Sequence, residues 1–402
     1  VANKKTFFGS MSTKHVGGRF EKVMAIVSGA KSEYGATMLH NAAAREVTLV
    51  PRVSTGLYKL DIALGGGFPL GRITLVYGEK SGGKTTLYLM GLANAQRLCA
   101  NCLQPGTFEV GDMEIPNFKT GKLETITTHV ITSCPCGNPR DFIALWCDSE
   151  NSWYGPWLKQ RGVWAEKVIL LKPEYGEAAY DIIRGMMQTG AIDLTVIDSL
   201  AQLAPETERE TSMRDAHQGV SARMNNRYLR ELPNIMMANL NSGRTTTTWL
   251  VNQIRHKIGV MFGNPEVLTG GKGQGFVASA EIDIRPSTIS KSKAGVPLFR
   301  DHKWTVKKSK ISPPGMSGGF QMSLANVDHF RVGQIMEHES AIEDAVEFGI
   351  IEKPSERIYV WDGERYKKGE LVQFFAANPS DFAELRSLIV RNSIVEDDED
   401  AE

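Results

Sequence analysis

Gly78-Glu79-Lys80-Ser81-Gly82-Gly83-Lys84-Thr85 fits the pattern G-x-x-x-x-G-K-[ST], and its reading decides the fold. It follows a strand-like run, residues 72–77 (RITLVY), and precedes a helix-like run, residues 85–98 (TTLYLMGLANAQRL). A strand, a glycine-rich turn and a helix in that order aim backbone N–H groups at a phosphate held at the positive helix end. Lys84 is placed to reach the β- and γ-phosphates of ATP, and the Thr85 hydroxyl to ligate Mg²⁺. Thr86 completes the set of residues expected around the phosphates.

Such a loop needs an acid at the end of a neighbouring strand. Asp198 closes the apolar run Leu194-Thr195-Val196-Ile197 and is followed by Ser199, so it suits the metal shell. The other reading of a strand-ending Asp is an N-cap for the next helix. A second acidic strand end, Trp146-Cys147-Asp148-Ser149-Glu150, offers Glu150 to polarise the attacking water or to cap a turn.

Outward from the loop, residues 53–284 alternate short β-branched or apolar runs with helix-length segments. This predicts an α/β domain with a mainly parallel sheet. Residues 18–50 read as a helix followed by the strand VTLVP. Beyond about residue 328 a smaller mixed unit has an amphipathic helix (SAIEDAVEFGII), a hairpin (RIYVWDGERYKKG) and a closing helix (PSDFAELRSLIVRN).

The 402 residues balance 46 Lys+Arg against 46 Asp+Glu. Six of the acids sit in the last seven residues, Glu396–Glu402. Without them 46 bases face 40 acids, leaving a body of +6. Residues 285–310 hold eight Lys or Arg and one acid, Asp301. A basic run of that kind is a solvated face or a nucleic-acid surface, and an acidic tail is an unstructured or masking segment. No run has the ~18 apolar residues of a membrane span, and the polar N-terminus lacks a signal-peptide core. Five Cys do not suggest a disulfide framework, so the expected setting is cytoplasmic.

With these residues in view, the chain resembles RecA-type homologous-recombination ATPases of bacteria and phages, from about Val53 to Ser312 and more weakly in both flanks. The likeness rests on Asn252-Gln253-Ile254-Arg255 followed by residues 257–266 (KIGVMFGNPE). It also rests on Ser54-Thr55-Gly56 with residues 60–66 (LDIALGG), and on Leu70-Gly71-Arg72-Ile73. It implies a RecA-like P-loop core with a mainly parallel twisted sheet at 53–328. Residues 1–52 would form an N-terminal helix-strand polymerisation arm, 329–395 a small α+β DNA-gathering domain, and 396–402 an acidic tail that dampens DNA binding.

By the same resemblance, Glu150 is the catalytic base and Gln253 senses the γ-phosphate. Trp157 matches an adenine-stacking aromatic, although core packing would account for it equally. DNA would be held by loops at about Pro205–Gln218 and His256–Lys272, with Arg223, Arg230, Arg255, Ile258, Phe262, Gly270 and Gly271 as contacts. Read alone, each of those residues is a surface charge, a core residue or a turn. Lys308 and Lys310 match a pair reaching the ATP of the neighbouring subunit. Period-two spacing would put both on one face of a strand. Phe276 matches a residue at the core of the subunit contact.

Departures from the family pattern begin with an insertion of about forty residues, 99–138, holding Cys99-Ala100-Asn101-Cys102 and Cys134-Pro135-Cys136-Gly137. Two close Cys pairs are the arrangement of a structural Zn²⁺ site, with free thiols or a redox pair as the other readings. Such a module would contact DNA or a partner, and the sequence does not choose. Cys147, inside a predicted strand, reads as core. Gln218 stands where the family has Met, Tyr154 where it has Asp, and Leu324 where it has a second adenine-contacting aromatic.

The expectation is a DNA-dependent ATPase that forms helical homo-oligomeric filaments on single-stranded DNA. It would pair them with homologous double-stranded DNA, served by single-strand-binding and loader proteins and without a membrane partner. The alternatives are a zinc-bearing branch-migration helicase and a non-hydrolysing filament or mediator protein.

Overall fold

The computed structural model describes residues 50–116, 121–210, 219–256, 265–271, 273–327 and 330–394. Most of the expected polymerisation arm, residues 211–218 of the first DNA loop including Gln218, Ile258 and Phe262 of the second, and the acidic tail lie outside them.

The described chain begins with β1 (Arg52–Val53), α1 (Tyr58–Ala63), β2 (Phe68–Pro69), β3 (Ile73–Gly78) and α2 (Lys84–Ala95). The inserted β4 (Thr107–Pro116) and β5 (Leu123–Ser133) come next. They are followed by β6 (Ala144–Asp148), α3 (Gly155–Gln160), β7 (Val168–Leu171), α4 (Gly176–Gln188) and β8 (Leu194–Asp198). Then come α5 (Glu206–Glu210), α6 (Val220–Asn241), β9 (Thr247–His256), β10 (Glu266–Leu268) and α7 (Gly273–Val277). Strands β11 (Ala280–Lys291), β12 (Pro297–Ser309), β13 (Ser317–Ser323) and β14 (Ile335–Met336) complete the main sheet. The C-terminal unit holds α8 (His338–Glu347), β15 (Glu352–Ser355), β16 (Ile358–Trp361), β17 (Glu364–Tyr366), α9 (Lys368–Ala377) and α10 (Pro379–Ser393).

The strands order as β14-β13-β12-β11-β3-β9-β8-β6-β7, with β10 on β9. From β11 to β7 the ladder is parallel. The edge beyond β11 and the short β10 are antiparallel. Central strands read as continuous apolar runs because helices cover both faces. Trp249 and Val251 face α2 with Leu87 and Leu92. Leu250 faces α4 and α6 with Ile183, Leu229 and Leu232. This is the mainly parallel α/β sheet that the sequence predicts.

Register is what assembles the site. Gly78 pairs with Gln253, and Asp148 with Asp198, so the C-terminal ends of β3, β9, β8 and β6 lie side by side. Ligands of open α/β sheets gather beyond such ends.

The C-terminal unit has its own core, including Ile342, Leu371, Phe375, Leu385 and Ile389, and it takes in Tyr58 from α1. Tyr58 donates to Asp344 at 2.7 Å across that junction. The expected hairpin forms around Asp362 and Gly363, both at positive φ, but its second strand ends at Tyr366, after which the chain turns into α9. That helix has no counterpart in the sequence reading.

Candidate functional site

The phosphate loop leaves β3 at Gly78, whose φ is 151°, and a Cβ there would lie 1.8 Å from the Ile284 carbonyl oxygen. Only glycine fits. Gly83 (φ 96°) then starts α2 in the left-handed region, where a side chain is strained. Between them Glu79, Lys80, Ser81 and Gly82 form the turn. His302, buried beneath and stacked on Phe320, is 2.8 Å from the Gly82 carbonyl through Nδ1.

Lys84 is buried and folds back to donate to the carbonyls of Gly78 (3.3 Å) and Glu79 (2.6 Å). Burial pushes its pKa down, opposed by the charges of Glu150, Asp198 and Glu79. Thr85 donates its hydroxyl to Asp198 Oδ2 at 2.7 Å. Asp198 is 1% exposed and its Oδ1 has no hydrogen-bond partner among the described residues. Burial pushes its carboxyl up to about 7; the Thr85 hydrogen bond works against this, and Glu150 and Asp148 add to it. A buried carboxylate oxygen with an open valence, beside a threonine hydroxyl, fits a hard divalent cation such as Mg²⁺.

Glu150 Oε1 accepts from Ser199 Oγ at 2.5 Å and from Gln253 Nε2 at 2.6 Å. The loop carrying Glu150 is fixed by Asp148, which accepts from the Ser152 and Trp153 backbone N–H groups at 2.9 and 3.0 Å. Trp157, half-buried, shares a crevice with Thr85, Leu89 and the mostly exposed Tyr154. Its ring is covered on one side by the Arg161 guanidinium, 4.4 Å from the centroid.

The polar chain continues behind Gln253. Asn252, fully buried, donates to Gln274 Oε1 (2.5 Å) and the Thr269 carbonyl (2.8 Å). Gln274 in turn donates to the carbonyls of Thr269 and Gly271. Gly270 and Gly271, both at positive φ, pack against Asn225 and Asn226 of α6. Arg223 and Arg230 are exposed on α6. With Arg227, Asn226 and Phe276 they line a cavity of 690 Å³. Phe276 is 77% exposed. Arg255 is exposed near the end of β9, opposite Val267.

The RecA N-terminal domain family matches residues 21–104 and 113–326, most of the chain. The chain belongs to the RecA family. It is 33% identical over 361 residues to Protein RecA of Desulforapulum autotrophicum, covering 89% of this chain and 88% of that one. It is 34% identical over 330 residues to Protein RecA of Leptospira biflexa (81% and 71%), and 34% over 322 residues to that of Thioalkalivibrio sulfidiphilus (80% and 78%).

Two features refine the RecA reading. A bulge shifts the β11–β12 register between Lys308 and Val306, and β12 ends at Ser309. The bulge falls at Lys307, before both lysines; Lys310 lies just past the strand and is exposed, and its N–H still donates to the Ser279 carbonyl at 2.8 Å. Lys308 donates to the Gly275 carbonyl and stands 3.8 Å from Glu281 of its own chain.

The second feature is the insertion, where the RecA match is interrupted at residues 105–112. Strands β4 and β5 form a separate two-stranded ribbon. At its base the sulfur atoms of Cys99, Cys102, Cys134 and Cys136 all lie within 4.8 Å of one another, and none is in a disulfide. Tetrahedral Zn²⁺ with Zn–S of about 2.3 Å spaces its sulfurs by roughly 3.8 Å, so the cluster fits with small adjustment. Burial pushes the Cys99 thiol up, but backbone N–H groups of Cys102, Asn101 and Arg140 outweigh it and bring the thiol to about 6. Cys147 is buried in β6, as expected of core.

Sequence reasoning gave Gln274 and Arg227 no role, and named Ser199 and Asn252 only as parts of motifs. Their side chains become polar links or surface charges only through register and helix packing, which local sequence does not give.

Proposed function

We propose that this RecA-family chain is a DNA-dependent ATPase that polymerises on single-stranded DNA and drives homologous pairing and strand exchange. The observation that carries this is the continuous set Thr85–Asp198, Glu150–Ser199 and Glu150–Gln253, with Asn252 and Gln274 leading from it to Gly270–Gly271. In this reading ATP lies on residues 78–86 with its base towards Trp157, and Thr85 and Asp198 hold Mg²⁺. A bound Mg²⁺ neutralises developing phosphate charge. Glu150 orients water and takes its proton, and Lys84 turns from the loop carbonyls to the phosphates. Gln253 exchanges its bond to Glu150 for the γ-phosphate side, and that exchange shifts the strand leading to the second DNA loop.

Lys308 and Lys310 would serve the ATP of the next subunit in a helical filament, Lys308 first leaving Glu281. Arg223, Arg230 and Arg255, together with Ile258 and Phe262, would hold single- and double-stranded DNA. The arm at 1–52, the core at 53–328, the unit at 329–395 and the tail at 396–402 keep their expected roles, with single-strand-binding and loader proteins as partners. The four cysteines would hold a structural Zn²⁺. The setting is the cytoplasm of a bacterial cell or phage-infected host. No described helix is long and apolar enough to cross a membrane.

The test is ATP hydrolysis with and without single-stranded DNA. Stimulation by DNA, lost in Lys84→Ala, is expected. Hydrolysis indifferent to DNA, or surviving in Lys84→Ala, contradicts the assignment.

A further inference from the structure

A cavity of 360 Å³ lies where the C-terminal end of α2, the end of α3 and the C-terminal unit meet. None of Lys84, Thr85, Glu150, Asp198 or Gln253 lines it, so it is separate from the nucleotide site. Three arginines do: Arg97, Arg161 and Arg386. No Asp or Glu is among its described lining residues, and Phe330, Phe375 and His338 supply an aromatic wall.

The arginines are held by carbonyls and aromatic rings: Arg97 lies over Trp164 at 5.4 Å and Arg386 over Phe382 at 5.0 Å. Arg97 donates to the carbonyls of Ala93 and Gly162. Arg161 has the Met322 sulfur at 3.7 Å, and its Nε is buried without a partner. Arg386 donates to the Gly56 carbonyl at 2.8 Å. Among the described residues none of the three is in a salt bridge.

Burial pushes Arg161 down to about 10 and lowers Arg97 as well. Glu337 and Asp61 are close enough to Arg386 to feel its charge, but burial pushes their carboxyls up to about 8 and about 6. Burial thus weakens the compensation they give Arg386, more for Glu337 than for Asp61. On the opposite wall, the buried His338 Nδ1 has no partner. Half-buried guanidinium groups with no salt bridge among the described residues favour an anion, and their planar fork matches phosphate. The volume lies within the range of small-molecule sites, which favour domain junctions.

We propose that this cavity binds a phosphorylated planar small molecule of nucleoside-monophosphate size, its phosphate on Arg97, Arg161 and Arg386 and its ring against Phe330, His338 and Phe375. Such a ligand would bear on the ATP site from two sides. Arg97 lies just past the helix that begins with Lys84, and Arg161 covers Trp157.

The experiment fills the phosphate loop with Mg²⁺ and a non-hydrolysable ATP analogue, then titrates the full chain with GMP, UMP, guanosine and inorganic phosphate by calorimetry. One additional site for the monophosphates is expected, with guanosine and phosphate at least tenfold weaker. Arg161→Met and Arg386→Met should each weaken it at least tenfold. In parallel, GMP should protect Arg161 and Arg386 of the unsubstituted chain from phenylglyoxal, a readout that does not depend on the variants folding. No additional site, equal binding of phosphate alone, or no protection of either arginine overturns the proposal.

Discussion

Gln253 Nε2 donates to Glu150 Oε1 at 2.6 Å, joining the ends of two strands that are not neighbours in the sheet. The bond places the proposed γ-phosphate sensor and the proposed base in direct contact. Glu150→Gln should lower the DNA-stimulated turnover by about 10²–10⁴-fold, the usual worth of a positioned base. Gln253→Ala should retain ATP binding but lose the stimulation by DNA. Because the two side chains act through one contact, the double variant should be far less impaired than the product of the single effects. Steady-state kinetics of the four proteins measures this, and multiplicative effects would contradict the coupling.

Arg227 extends the proposed DNA face beyond the residues that spacing singled out. Its side chain is 78% exposed and only 3.7 Å from Glu231, one turn away, a pairing worth little at the surface. Arg227→Ala should weaken single-stranded DNA binding uniformly across sequences. It should also reduce the slope of log K against log salt by about one. A salt titration with unchanged slope would remove Arg227 from the interface.

The cysteine cluster makes a prediction about metal. Elemental analysis should find about one Zn per chain, and Cys99→Ser should lose it. The cluster is tied to the sheet through Arg140, which donates to the Ala100 carbonyl at 3.1 Å and to the buried Asp193 at 2.7 Å, just before β8. Chelation should therefore lower the melting temperature of the whole core and not only loosen the ribbon. A zinc-free protein with an unchanged melting curve would remove the claim.

How far was this legible? The phosphate loop, Asp198, Glu150 and Gln253 announce themselves because each lies at the end of an apolar strand-like run. The cysteines do so by spacing. Ser199 and Asn252 are visible only as motif neighbours, and the role of Gln274 not at all, because the partners concerned lie 49 and 22 residues apart. The bulge at Lys307 is likewise invisible to a period-two pattern, although it lies before Lys308 and Lys310 and leaves their spacing intact. The cationic cavity draws on three distant segments, none unusual by itself.

Glu337 gives the fold a pH dependence. Its carboxyl is buried, and burial pushes it up to about 8, against an ordinary value of 4.5. Between those values the folded state binds the proton more tightly than the unfolded chain. The resulting stability is full below about pH 4.5 and is lost as pH rises through 8. Glu337→Gln should flatten that part of the profile and raise the melting temperature at pH 8 relative to the parent. A parallel decline in both proteins would show that Glu337 is not the source.

The most direct test of the central claim is joint-molecule formation between single-stranded DNA coated with this protein and duplex DNA, with ATP and Mg²⁺. The account predicts joint molecules with homologous duplex, none with heterologous duplex, and none with Lys84→Ala. DNA-stimulated hydrolysis without homology-dependent joint molecules would contradict it.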